Sequence, residues 1–153
     1  MSPRFAAEKT LGKLAKWLRL LGFDTLYEPD FGYRSVSDLA DHGRIVLTRT
    51  QRIRDKTSAA NLIFIQSDRP LEQLKEIIQK LSLKQTDTHP FTRCLKCNTV
   101  IEPVDKDTIR SEVPDYVWET QHSFRMCPGC RKIFWRGSHT KRSSYIIEGL
   151  FSN

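Results

Sequence analysis

Residues 45–65 read IVLTRTQRIRDKTSAANLIFI. Two short apolar runs, Ile45-Val46-Leu47-Thr48 and Leu62-Ile63-Phe64-Ile65, stand either side of a polar, basic stretch from Arg49 to Ala60. Each run predicts a strand, and the stretch between them a loop or a helix turn. Downstream, Leu71, Leu74, Ile77, Ile78 and Leu81 recur at helical spacing, with Asp68 and Pro70 at the start. Upstream, Val36, Leu39 and Ala40 predict a short helix ending near Gly43, and Asp24 to Tyr27 a strand. Before these, Leu11, Leu14, Ala15, Leu18 and Leu21 give one apolar helix face, with Lys9, Lys13, Lys16 and Arg19 on its polar side. Gly22 is a suitable stop for that helix, and Phe5-Ala6-Ala7 a first buried strand. Strand and helix patterns therefore alternate from residue 4 to about 82. The pattern implies an α/β fold, a mostly parallel sheet flanked by helices.

Beyond residue 82 the pattern changes. Lys84 to Pro90 is polar and aperiodic and reads as a linker. All four cysteines follow, as two knuckles: Cys94-Leu95-Lys96-Cys97 and Cys127-Pro128-Gly129-Cys130. Four thiolates at this spacing close a tetrahedral shell around one zinc ion. The 29 residues between the knuckles make a long loop, but loop closure grows only slowly with length. The other uses of four cysteines are two disulfides, free thiols or a redox pair. Disulfides need an oxidising compartment, and a thioredoxin-like site uses one knuckle beside a βαβ unit. A closed four-cysteine shell holds structure and does no chemistry. The division expected is an α/β domain over residues 1–88 and a four-cysteine zinc ribbon with a C-terminal tail over 89–153. Within the second, Trp118 reads as a packing residue and Tyr145-Ile146-Ile147 as part of a last helix.

The chain has 153 residues, 39% of them hydrophobic, and a mean hydropathy of −0.49. Its apolar runs are too short to span a membrane. Met1 to Phe5 show no signal-peptide core, so a cytoplasmic, reducing location is expected. The net charge is +7 and the pI about 9.4, which favours nucleic acid or another polyanion as partner. The charge is concentrated in Arg131 to Arg142, with five Lys/Arg, two aromatics, one histidine and no acid. Arg131, Lys132, Arg136 and His139 interleaved with Phe134 and Trp135 suit phosphate contact and base stacking. The competing reading is a solvated basic face whose aromatics pack inside the zinc module.

One further pattern is specific. Leu11-Gly12-Lys13-Leu14-Ala15-Lys16-Trp17-Leu18-Arg19-Leu20-Leu21-Gly22-Phe23-Asp24 resembles the opening motif of the Mut-seven C-terminal RNase domain family. Gly43-Arg44-Ile45-Val46-Leu47-Thr48-Arg49 resembles its third-strand motif. The two knuckles, and Trp135-Arg136-Gly137-Ser138-His139 after them, follow in the family's order. The resemblance implies a PIN-like sheet with an attached zinc ribbon, and a ribonuclease in which acids at the carboxyl ends of strands hold magnesium or manganese. Hard divalent ions take oxygen ligands, and they would activate water and stabilise charge on the scissile phosphate.

At the acidic positions this sequence departs from the family. Glu8 stands where the first strand ends in Asp. Thr50 stands where Asp follows Leu-Thr-Arg. The acid near the start of the second helix aligns close to Tyr33 and Arg34, with Asp30 and Asp38 as displaced substitutes and Asp55 as a rescue ligand beyond Thr50. The plain reading of each substitute is a solvated surface acid. Arg19 and Arg49 match family motif positions and are candidates for RNA phosphate. The expectation is therefore an RNA-binding protein of PIN-like ribonuclease type with a degenerate acidic site. The rivals are an active nuclease using Glu8 with Asp30, Asp38 or Asp55, and a non-catalytic module that binds a protein or ribosomal partner through its ribbon.

Overall fold

The computed structural model describes residues 2–31 and 35–152, so the expected acid position near Tyr33 and Arg34 lies outside the described residues. The chain divides into two compact units, Met1–Phe91 and Thr92–Asn153.

In the first unit, the apolar runs form β1 (Phe5–Ala7), β2 (Thr25–Tyr27), β3 (Ile45–Thr48) and β4 (Leu62–Phe64). They pair in parallel in the order β2-β1-β3-β4. All three residues of β1 are buried, as are Val46, Leu47 and Thr48. Central parallel strands carry no polar alternation because helices cover both faces. Alternate side chains point to opposite faces. Ala6 and Val46 pack with Val36, Leu39 and Ala40, while Phe5 turns to the other side and meets the Phe23 ring edge-on at 5.8 Å.

The amphipathic segments form α1 (Gly12–Leu20) and α3 (Pro70–Leu81), which pack on each other. They bury Leu14, Ala15 and Leu18 from α1 and Leu74, Ile77 and Ile78 from α3. The short helix expected around Val36 is a 3-10 helix, Val36–His42, ending at Gly43 with φ of +79°. The basic stretch between β3 and β4 contains α2 (Gln51–Lys56).

The end of α1 is set by Gly22. Its φ of +92° is left-handed. Gly22 N–H donates to Arg19 O and Phe23 N–H to Leu18 O, both at 3.0 Å, the paired bonds of a Schellman ending. A Cβ on Gly22 would lie 2.4 Å from the His89 carbonyl oxygen. That carbonyl is fixed because His89 N–H donates to Leu21 O at 2.8 Å and Phe91 N–H to Leu20 O at 3.0 Å. The stretch read as a linker is thus docked on the end of α1, which capping demands on the last carbonyls of a helix explain. Gly22→Ala combines a left-handed penalty with a backbone clash. It is expected to lower stability by about 2–4 kcal/mol, read from the urea midpoint.

The second unit is built on β5 (Glu102–Val104), β6 (Phe124–Met126) and β7 (Ile133–Phe134), antiparallel in the order β5-β6-β7. The long loop between the knuckles is itself structured. It carries a 3-10 segment (Lys106–Glu112) and α4 (Asp115–Thr120). Ile109, Val113, Val117 and Phe124 form a small core of their own there. Trp118 packs at its edge, donating from Nε1 to Lys106 O at 2.9 Å. Lys106 and Arg110 lie over its ring at 4.5 and 4.3 Å from the centroid. The last helix, α5 (Ser138–Phe151), begins earlier than the Tyr145-Ile146-Ile147 run suggested.

Candidate functional site

The strand order β2-β1-β3-β4 puts β2 on one side of β1 and β3 and β4 on the other, so the winding reverses between β1 and β3. In open parallel sheets the crevice at such a switch point, at the carboxyl ends, is where ligands sit. Glu8 is the residue that follows β1, and Arg49 and Thr50 follow β3. The two strand ends are tied by Glu8 N–H donating to Leu47 O at 3.1 Å.

Glu8 is only 1% exposed. Its Oε1 accepts from the Thr10 hydroxyl at 2.5 Å and from Arg49 N–H at 3.0 Å. Its Oε2 accepts from the Thr50 hydroxyl at 2.8 Å. Thr50 N–H in turn donates to the Thr48 hydroxyl at 2.9 Å, which shapes the turn leaving β3. Glu8 and Thr50 are therefore direct partners. Thr10 completes the arrangement, and only its closeness in sequence to Glu8 hinted at that.

The other acidic candidates are engaged elsewhere. Asp30 is exposed and lies 3.5 Å from Arg19 Nη2. Asp38 accepts from Ser35 N–H at 3.4 Å, capping its 3-10 helix. Asp55 accepts from the Gln51 side chain at 3.0 Å along α2. Among the described residues, Glu8, Asp30, Asp38 and Asp55 do not gather three donors about a common point, and the four cysteines do. Asp24, at the end of the first motif, holds Arg44 through both carboxylate oxygens at 2.9 and 3.2 Å. Arg44 also donates to Phe5 O at 3.1 Å. This pair sits at the amino ends of β1, β2 and β3, opposite the crevice, and is structural.

The basic candidates separate in the same way. Arg19 is 4% exposed and donates from Nε to Thr25 O at 2.9 Å. Its expected contact with RNA does not fit this inward placement, because its guanidinium braces α1 against β2. Arg49 has the opposite disposition, its backbone N–H on Glu8 and its side chain exposed. Arg52, Arg54 and Lys56 on α2 are exposed beside it, with Arg54 stacked over Phe64 at 4.8 Å. Near Glu8, a recess of about 320 Å³ is lined by Lys9, Thr10, Gly12, Lys13, Tyr27 and Asp68, among others.

In the second unit, Arg131, Lys132, Arg136 and His139 are exposed. Trp135 is half-buried, packing on Phe124 at 6.3 Å between ring centroids. Lys132 Nζ lies 5.6 Å from the centre of the Phe134 ring. The aromatics of this stretch thus serve the ribbon interior, while its cations face solvent.

The four cysteine sulfurs lie within 4.8 Å of one another. Cys94 and Cys130 Sγ are 3.7 Å apart. Tetrahedral Zn–S bonds of about 2.3 Å put sulfurs roughly 3.8 Å apart, so the set fits a zinc ion. Each knuckle turns alike. Asn98 N–H donates to Cys94 O at 2.9 Å and Arg131 N–H to Cys127 O at 2.8 Å. Both residues are left-handed, with φ of +64° and +65°. Asn visits that region more readily than Arg. Backbone N–H groups of Cys97, Gly129 and Cys130 point at Cys94 and Cys127 sulfurs at 3.3–3.5 Å. Burial pushes the Cys94 and Cys97 thiols up, and the Lys132 backbone N–H chiefly draws Cys130 down to about 7.

No helix among the described residues is long and apolar enough to cross a membrane. No curated protein and no solved structure matches the chain significantly. A family model described as the Mut7-C RNAse domain matches residues 3–147. That span takes in both the parallel sheet with Glu8 at its switch point and the four-cysteine cluster, and the chain belongs to this family.

Proposed function

We propose that this protein binds RNA on a ribonuclease-type fold whose acidic site no longer supports metal-dependent cleavage, and that its cysteines hold a structural zinc ion. One observation carries the catalytic half of this reading: the Glu8 carboxylate already accepts three protein donors. A carboxylate offers about four lone-pair sites, so little remains for an ion. Thr50 supplies a neutral hydroxyl and spends it on Glu8. A magnesium or manganese ion also needs several oxygen ligands, and Asp30, Asp38 and Asp55 have other partners. These residues do not fit the ion that the family resemblance implies, and no hydrolytic step is derived through it.

The binding half rests on charge. Arg49, Arg52, Arg54 and Lys56 are exposed at the crevice edge, with Asp55 the one acid in α2. Cations held there suit a phosphodiester backbone. Zinc in a closed four-sulfur shell would hold the ribbon and leave no position for a reacting group.

The test is a panel of labelled RNAs incubated with the full chain and magnesium or manganese, with binding measured in parallel. Salt-sensitive binding without metal-dependent cleavage is expected, and Arg49→Ala with Arg52→Ala should weaken binding about tenfold. Metal-dependent cleavage that Glu8→Ala abolishes would sink the inactive form of the proposal. Absence of RNA affinity would sink the rest.

A further inference from the structure

Helix α5 carries a surface that the preceding reading does not use. Lys141, Arg142 and Tyr145 are all exposed, at i−4, i−3 and i on one helix. That spacing sets both cations beside the ring. Tyr145 is 79% exposed, more than any other large hydrophobic side chain among the described residues. One turn further on lies Gly149, where an added Cβ would meet nothing within 4 Å. The helix surface at Gly149 is therefore open. Glu148 is the next charge after the ring and is an acid. The cationic part of the face thus lies on the N-terminal side of Tyr145, continuous in sequence with the basic run from Arg131 to Arg142.

Stability does not account for this residue. An exposed ring buries little apolar surface, and tyrosine is a poorer helix former than the lysine and arginine beside it. A single exposed aromatic is ordinary on a protein surface. A flat ring with two cations on its N-terminal side, and with Glu148 and Gly149 on the other, has the parts that bind an unpaired nucleotide: a stacking platform and phosphate contacts on the cationic side. Duplex RNA offers no free base face, so the chemistry selects single strands. An acidic protein face would use the cations and leave the ring without a partner.

Resting on the RNA-binding reading above, we infer that α5 is a single-strand RNA contact, with a base stacked on Tyr145 and the neighbouring phosphates held by Lys141 and Arg142. The experiment measures affinity of the full chain for labelled oligouridine, by fluorescence anisotropy over a salt series. Polyglutamate serves as the acidic-polymer control. Tyr145→Ala is expected to weaken RNA binding about tenfold with little change in salt slope, and Tyr145→Phe to bind as the parent does. Lys141→Gln with Arg142→Gln is expected to reduce the salt slope by about 1.4, two single-strand phosphate contacts' worth. Parent-like binding by Tyr145→Ala overturns the inference. So does an equal loss in Tyr145→Phe. Charge variants that lose polyglutamate as strongly as RNA, while Tyr145→Ala affects neither, identify an acidic protein as the occupant and overturn it as well. If the Arg49 and Arg52 variants lose RNA while every α5 variant keeps it, this inference fails and the proposed function stands. No RNA affinity in the parent chain ends both.

Discussion

Chelation of metal from the full chain, or Cys94→Ser, is expected to unfold Thr92–Asn153 while the parallel sheet remains. Cys94, Ile101 and Cys127 form a small core in that unit, with Cys97, Cys130 and Phe134 against it. Most of that core consists of the four cysteines themselves, so without an ion to hold them it reduces to Ile101 and Phe134. Structural zinc binding contributes folding free energy directly, and losing it is expected to cost roughly 5 kcal/mol or more. Trp118 and Trp135 flank the neighbouring core. Their near-ultraviolet circular dichroism should collapse as zinc is removed, with one zinc per chain found before treatment. Binding must also depend on pH. Zinc takes thiolates, and burial raises the Cys94 and Cys97 thiols, so protons compete for these sulfurs. Affinity should therefore rise with pH and fall as the solution is acidified. A unit that keeps its tryptophan signal after full metal removal would contradict this assignment.

Glu8→Ala is expected to cost about 3–5 kcal/mol, because it strips the acceptor from three donors in a buried site. The Arg49 N–H, the Thr10 hydroxyl and the Thr50 hydroxyl all end on that carboxylate. Thr50→Val removes one of these bonds and should cost about 1–2 kcal/mol. Urea unfolding checks both. Affinity for RNA, measured under conditions where each variant is folded, should stay near that of the parent. A catalytic carboxylate has the opposite signature: its loss lowers turnover and often spares stability. Parent-like stability in Glu8→Ala would therefore contradict the structural role given to this residue.

Much of the fold was legible because apolar periodicity reports burial directly. Ile45-Val46-Leu47-Thr48 became β3, and Leu71 to Leu81 became α3. The four-cysteine cluster was equally legible, since ligand spacing is a local property of sequence. What escaped was decided by neighbours distant in sequence. Arg19 looked like a surface cation at its helix position, yet Thr25 O and Asp30 draw it inward. Lys84 to Pro90 looked like free chain because its composition is polar, yet its end is bonded to the last turn of α1. Glu8 could be placed after β1 from sequence, but Thr10, Arg49 and Thr50 became its partners only when the strand ends met. The long inter-knuckle loop concealed a small core, because Ile109, Val113 and Val117 recur every four residues but Pro114 divides them between a 3-10 segment and α4, so no single helix carries the pattern.

Protein donors occupy the Glu8 carboxylate at the switch point. Anomalous scattering from crystals of the full chain soaked in manganese shows whether an ion can displace them. Expected are no manganese peak at Glu8, retained bonds from Thr10 and Thr50 to its oxygens, and a metal signal at the four cysteines as internal control. A manganese peak coordinated by Glu8, with the Thr50 hydroxyl displaced from Oε2, would contradict the account.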